Sequence, residues 1–271
     1  MTSRTPGHGW LAAALLGAAF ASLPLGASMS GQAAAQPSGE AGADAAQAER
    51  SRLLADQVRP RAAIPFDPSL FDKYVGYYRL DAGPASIFTI TRSGEHFLTR
   101  LSGQVNVEIY PESGTKFFAK VVAAQISFET DPQGKVTGLV LHQGGFEQHA
   151  TRIDEAQAKA VEAALEARIK ANTPSPGTEA ALRKDIESLE KGAPDYDDMS
   201  PDLASLARQQ WPTVEQLVAQ WGALQSIRFK AVSPQGLDIY DVTFEHRLVE
   251  ANVAPLTPNG KIAGLSLRPL P

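Results

Sequence analysis

From residue 74 to 153 apolar and polar positions alternate in short runs, and glycine-bearing pairs such as Ser93-Gly94, Ser102-Gly103 and Gly144-Gly145 separate most of them. This period of two predicts half-buried strands at 74–80, 85–92, 96–101, 104–110, 116–122, 125–130, 135–143 and 146–153. Short strands at regular spacing predict a meander closing into a small up-and-down barrel over 66–153, and closure removes the open edges that invite aggregation. The period then changes. Asp154 is a helix N-cap, and Val161, Leu165 and Ile169 recur every four residues, predicting a helix to about 171. Asn172-Thr-Pro-Ser-Pro-Gly177 stops it, so 154–177 reads as a linker helix with a semi-rigid, Pro-rich linker.

Beyond the linker, Leu182, Ile186 and Leu189 form a helical stripe closed by Gly192. Ser200 caps a second helix with Pro201 at its first position, and Trp211-Pro212 restarts a helix that carries Val214, Leu217, Val218 and Trp221. Strands are predicted at 224–232, 237–244, 247–254 and 261–268. The predicted class is therefore mainly β plus α+β: a barrel, then helices covering one face of a curved antiparallel sheet over 178–271. One hairpin is written twice. The run from Asp131 to Leu141 returns from Thr257 to Leu267 with proline, glycine, lysine, a second glycine and two leucines at the same spacing. Proline presets the turn and glycine accepts the left-handed residue that follows. This repeat is architecture and not chemistry.

The N-terminus changes the picture. Arg4, the apolar stretch from Leu11 to Phe20 and Ala33-Ala-Ala35 predict a secretory signal peptide over 1–35. Pro24, Gly26 and Ser28 interrupt the run before the ~20 apolar residues that a membrane span requires. Residues 36–65 are expected to form a flexible lead-in with a short helix near 45–58. There is no cysteine, which excludes cysteine lipidation, disulfides and thiolate metal sites. Loss of Arg4 with the signal takes the net charge from -5 to -6. A mildly acidic chain of this kind is a poor candidate for nucleic acid or anionic membranes. The expected location is the periplasm or the exterior, without stable membrane insertion after cleavage. Hydrophobic content of 43% supports packed cores.

Candidate chemistry is sparse. Ser113-Gly-Thr-Lys116 and Ser188-Leu-Glu-Lys191 match Ser-x-x-Lys, but neither has a Lys-Thr-Gly or Ser-Asp-Asn partner, and both are read as chance. No Gly-x-Ser-x-Gly, phosphate-loop, dinucleotide or His-Glu-x-x-His motif occurs. Across the Gly144-Gly145 turn, His142 should face Glu147, with His149 two residues further on the same face; these three are weak metal candidates. The preferred reading is a polar cross-strand pair. Tyr240, Asp241 and His246 could supply an acid–base pocket in the second block. Strand alternation, however, sends Tyr240 and Asp241 to opposite faces. Phe88, Phe97, Phe117 and Phe128 are expected inside the barrel, filling it or lining a cavity for a small apolar ligand.

Tyr74-Val-Gly-Tyr-Tyr78, Tyr110-Pro-Glu-Ser113, Phe117-Phe118, Phe128, the 131–139 turn, His142-Gln-Gly-Gly145 and Ala150-Thr-Arg-Ile153 occur in that order. Together they resemble the lipocalin-like β-barrel domain appended to the C-terminus of beta-lactamase-related serine peptidases and hydrolases, over roughly 66–153. The second block is similar to another appendage of such hydrolases, on Gly192-Ala-Pro-Asp-Tyr196, Leu224-Gln-Ser-Ile-Arg-Phe229, Gly236-Leu-Asp-Ile-Tyr240 and the 260–269 segment. Helices before a curved sheet also suit a cystatin-like or nuclear-transport-factor-like fold.

In these relatives the nucleophile lies in a preceding hydrolase domain, and only the signal and lead-in are expected before the barrel here. The resemblance thus implies no catalytic residue and no cofactor. It implies a non-catalytic accessory protein, using its modules to self-associate or to contact a periplasmic partner such as a serine hydrolase. A small-molecule carrier is the second reading and an enzyme the third.

Overall fold

The computed structural model describes residues 40–81 and 86–271. The expected signal peptide lies outside them. Helix α1 (Glu40–Gln57) opens the described chain; it covers the short helix expected near 45–58 but starts earlier, and its last residue is fastened to the barrel. That residue is Gln57, whose side chain is buried and satisfied on both ends. Its Nε2 donates to the Phe146 carbonyl at 3.1 Å, and its Oε1 accepts from the Gly145 N–H at 2.6 Å. Residues after the helix stay on the barrel too, with the Ile64 N–H bonded to the Pro111 carbonyl at 3.0 Å.

Eight strands follow: β1 (Gly76–Leu80), β2 (Ile87–Ser93), β3 (His96–Leu101), β4 (Val107–Pro111), β5 (Lys116–Ala119), β6 (Ala124–Thr130), β7 (Val136–Gln143) and β8 (Phe146–Ile153). Each pairs antiparallel with the next, and β8 returns to β1 with Tyr77 opposite Ile153 and Leu80 opposite Ala150, closing a barrel. The first predicted strand begins too early. Residues 68–74 form a 3-10 turn, capped by Asp67, that tucks Phe71 and Tyr74 into the barrel. Phe71 stacks on Phe97 at 4.3 Å, Tyr74 stacks on Phe128 at 4.1 Å, and Phe117 meets both edge-on. Each such pair contributes about 0.5–1.5 kcal/mol beyond the area it buries. The two tyrosine hydroxyls are satisfied by carbonyls, Tyr74 by Gly114 and Tyr78 by Tyr74, each at 2.6 Å.

Helix α2 (Glu155–Ala171) starts at a reciprocal capping box between Asp154 and Gln157 and ends with Asn172 in the left-handed conformation. Helices α3 (Thr178–Glu190) and α4 (Pro201–Trp221) then cover one face of a four-stranded meander. Its strands are β9 (Leu224–Val232), β10 (Asp238–Phe244), β11 (Leu248–Val253) and β12 (Leu265–Pro269), in the order β12-β11-β10-β9. Two expectations need correction. α4 runs unbroken through Pro212, since the apolar face continues past it in Val218 and Trp221. The last strand starts later than predicted, because Ile262 pairs with Met199 instead; the Ile262 N–H bonds the Asp198 carbonyl, and the Ser200 N–H bonds the Ile262 carbonyl, both at 2.8 Å.

The repeated turn is confirmed in geometry and occurs a third time. At Asp131, Ser233 and Thr257 a polar side chain accepts the N–H of the residue four positions on, the glycine N–H returns to the carbonyl of that first residue, and Gly134, Gly236 and Gly260 take φ of 82°, 79° and 77°. Ser233-Pro-Gln-Gly-Leu237 lacks the lysine and second glycine that mark the other two.

Barrel and sheet meet across α2 and two turns. Arg100 of β3 pairs with Glu162 at 3.1 Å, and the Gln235 side chain donates to the Gly103 carbonyl at 3.0 Å. At the far end of α2, Arg168 binds the Gly236 carbonyl and the carboxylate of Asp238, which is completely buried. Asp238 also accepts the Ser175 N–H and the Thr178 hydroxyl, each at 2.8 Å, so the Pro-rich linker is fastened to β10. Arg168→Met should strand that carboxylate and cost about 3–5 kcal/mol of unfolding free energy in urea titrations. Gly103 has φ 73°, and a Cβ there would lie 2.1 Å from the Pro234 carbonyl oxygen. Gly103→Ala should therefore lose clearly more than the roughly 1–2 kcal/mol of a left-handed alanine. Gly94→Ala, at φ 61° with open space around it, should lose no more than that, and the same titrations compare them.

Candidate functional site

Each sequence-predicted site residue has a definite place. Phe117 packs against both Phe97 and Phe128 in the barrel interior, and Phe88 belongs to the same buried cluster. With Phe66, Phe71 and Tyr74 packed among them, these rings fill space.

His142 and Glu147 are paired across β7 and β8 as expected, with Nδ1 to Oε1 3.0 Å. Burial pulls the imidazole below its ordinary pKa, against the pull of Glu147. A neutral ring must donate to the carboxylate from Nδ1, which leaves Nε2 to accept the Ser127 hydroxyl at 2.9 Å. His149 stands opposite Val140 and faces Glu129 at 3.5 Å, so the two imidazoles serve different carboxylates. Among the described residues no group of three or more His, Cys, Asp or Glu could hold a metal ion.

Tyr240, Asp241 and His246 are not brought together. The Tyr240 hydroxyl is buried against the Thr178 hydroxyl at 2.7 Å. Asp241 points to the other face, where Lys230 lies 3.2 Å away, and His246 is exposed in the β10–β11 turn. The two Ser-x-x-Lys serines are engaged with backbone: Ser113 Oγ accepts the Lys116 N–H at 3.1 Å, and Ser188 Oγ donates to the Asp185 carbonyl at 2.7 Å.

A different acid stands out. Asp185 lies on the inner face of α3, with only 5% of its surface exposed, between Leu182, Ile186 and Leu189. It lines a cleft of about 60 Å³ together with Leu189, Met199, Leu203, Gln210, Trp211 and Leu267. Among the described residues its carboxylate has no hydrogen-bond or ion-pair partner. Burial, with Asp198 and Asp195 added, pushes it from 3.8 up to about 7. Lys184, the neighbouring cation, is turned outward and occupied by Asp195 and Asp198, and the Arg208 guanidinium lies over the Tyr196 ring at 4.4 Å. A mostly apolar cleft holding one perturbed acid has the composition of a ligand site. The sequence did carry its signal: 182, 185, 186 and 189 share one helical face, and an acid inside an apolar stripe is out of place there.

The sign of the pH effect follows. Because the folded chain holds this proton more tightly than the unfolded chain, the Asp185 contribution to stability is greatest below about pH 4, falls as pH rises toward about 7, and is level above. Asp185→Asn should match the parent at pH 4 and exceed it at pH 8 by several kcal/mol, on the order of 4 at most. Urea unfolding at both pH values checks this, and parallel pH dependences would refute it.

Among the described residues no helix is long and apolar enough to cross a membrane. Residues 60–157, which hold the barrel, match the family described as "Domain of unknown function (DUF3471)". The chain is also 29% identical over 86 residues to Penicillin-binding protein 4* of Bacillus subtilis (strain 168). That stretch is 32% of this chain and 18% of the relative, so the chain spans less than a fifth of that protein's length.

Proposed function

We propose that this protein is a non-catalytic accessory protein of the bacterial cell envelope or exterior, built to associate with a beta-lactamase-related penicillin-binding protein. One observation carries the reading: a third of this chain is similar to a penicillin-binding protein over less than a fifth of that protein's length, and the barrel's interior is packed with its own aromatic rings. A filled barrel offers its outer wall and its rims, which favours association over carriage.

The β3–β4 and β5–β6 connections, which lie at one end of the barrel because strands of a meander turn alternately at its two ends, are the suggested contact surface. Val105 and Val121 stand on that rim, 66% and 64% exposed. The units divide, on this reading, into a barrel at 66–153, a helix and loop at 154–177 and a helix-covered sheet at 178–271. The second unit extends the contact surface, since α2 and the 233–237 turn lie against the barrel.

The test uses immobilised mature chain and envelope extract labelled with a fluorescent penicillin. A labelled protein should be retained, and Val105→Asp with Val121→Asp should reduce retention about tenfold, the loss expected for ~1.4 kcal/mol. Light scattering on the chain alone reads self-association. A chain that stays monomeric and retains no labelled protein overturns the reading.

A further inference from the structure

We infer that the cleft at Asp185 is a binding site for a slender primary alkylammonium group, an apolar chain of a few carbons ending in a cationic nitrogen. Three observations define the occupant. Leu189, Met199, Leu203, Trp211 and Leu267 give the walls an apolar surface that a methylene chain would cover. The interior, at about 60 Å³, is small. At roughly 10–15 Å³ for one water-sized position, it has room for about four to six heavy atoms, so the far end of a hexyl chain stays at the mouth of the cleft. At its wall sits one carboxylate, 5% exposed and without a partner among the described residues.

The charge of the missing partner is also determined. Asp198 and Asp195 are the charged groups that act on Asp185 besides burial, and both disfavour its anion. Lys184 sits among them but is held at the surface by those two acids. An ammonium in the cleft would meet a carboxylate in an apolar setting, with no protein cation competing for it. Hydroxyls and neutral amides would bond there too, but only a cation supplies the charge that a buried carboxylate lacks, and charge-assisted bonds are the strong ones.

A proton balance follows. Below about pH 7 the free cleft holds a neutral carboxyl, so an arriving ammonium displaces that proton to solvent. Above about pH 7 it meets an anion and displaces none. Affinity should rise with pH up to about 7 and then level until the amine itself deprotonates near ~10. An alcohol of the same length should show no such dependence.

The experiment is calorimetric titration of the mature chain with n-hexylammonium and with n-hexanol, in buffers of differing ionisation enthalpy at pH 6 and pH 8. Hexylammonium should bind at least tenfold more tightly than hexanol and release close to one proton at pH 6 but none at pH 8. Asp185→Asn should lose at least tenfold in hexylammonium affinity while leaving hexanol unchanged, and its urea midpoint at pH 8 establishes that it is folded. Two further ligands separate the sources of the group. If an acetylated lysine amide binds and its norleucine counterpart does not, the natural occupant is a lysine-type side chain. If hexylammonium binds and the lysine amide does not, it is a free amine. Equal affinities for hexylammonium and hexanol, no measurable binding of either, or an unaffected Asp185→Asn would overturn the proposal. None of these outcomes depends on association through the barrel rim.

Discussion

The joining of the two halves depends on one buried carboxylate. Asp238 has no exposed surface, and an enclosed anion is tolerated only where cations and N–H or O–H donors surround it. Its donors come from three places: Arg168 at the end of α2, the Ser175 N–H in the Pro-rich loop and the Thr178 hydroxyl at the start of α3. Shifting α2 would remove the cation, and shifting the loop would remove the neutral donors, so helix, loop and sheet share one arrangement. The barrel inherits it through the same helix, because Glu162 of α2 holds Arg100 of β3. A segment that composition marks as a linker thus becomes part of the sheet's support.

What was legible in the sequence is what depends on period and turn chemistry. Alternation and glycine turns located all eight barrel strands, since side chains in a meander choose inside or outside one residue at a time. The 3-10 turn at 68–74 was not legible. Phe71 and Tyr74 lie next to a good strand pattern, and only the barrel's open end explains why the chain coils in to fill it. α1 was half legible, its helical composition plain but its seating invisible, because a single glutamine side chain bonding two backbone groups leaves no periodic trace. Among candidate site residues, the His142–Glu147 pair followed from hairpin register, and the opposed faces of Tyr240 and Asp241 from strand alternation. Asp185 leaves a fainter trace, an acid on the same helical face as Leu182, Ile186 and Leu189, whose burial follows only from how α3 packs.

The two halves bury their interiors in different ways. The barrel is dominated by aromatic rings in stacked and edge-on contact, with tyrosine hydroxyls returned to carbonyls. The helix-covered sheet is mostly aliphatic, and its cleft is where α3, α4 and β12 fail to meet fully. The cleft and its buried carboxyl belong to that second interior.

Closure of the barrel sets a limit on how the chain can be divided. Neighbouring strands are joined by short connections, and such hairpins form within about 1–10 μs. The seam between β1 and β8 is different, for it brings Asp81 to Thr151 across 70 positions. Until β8 is available, both terminal strands present unpaired backbone. A fragment ending short of Ile153 is therefore an open sheet with two adhesive edges and not a smaller barrel. Any excision or fusion that is to remain soluble must keep 76–153 whole.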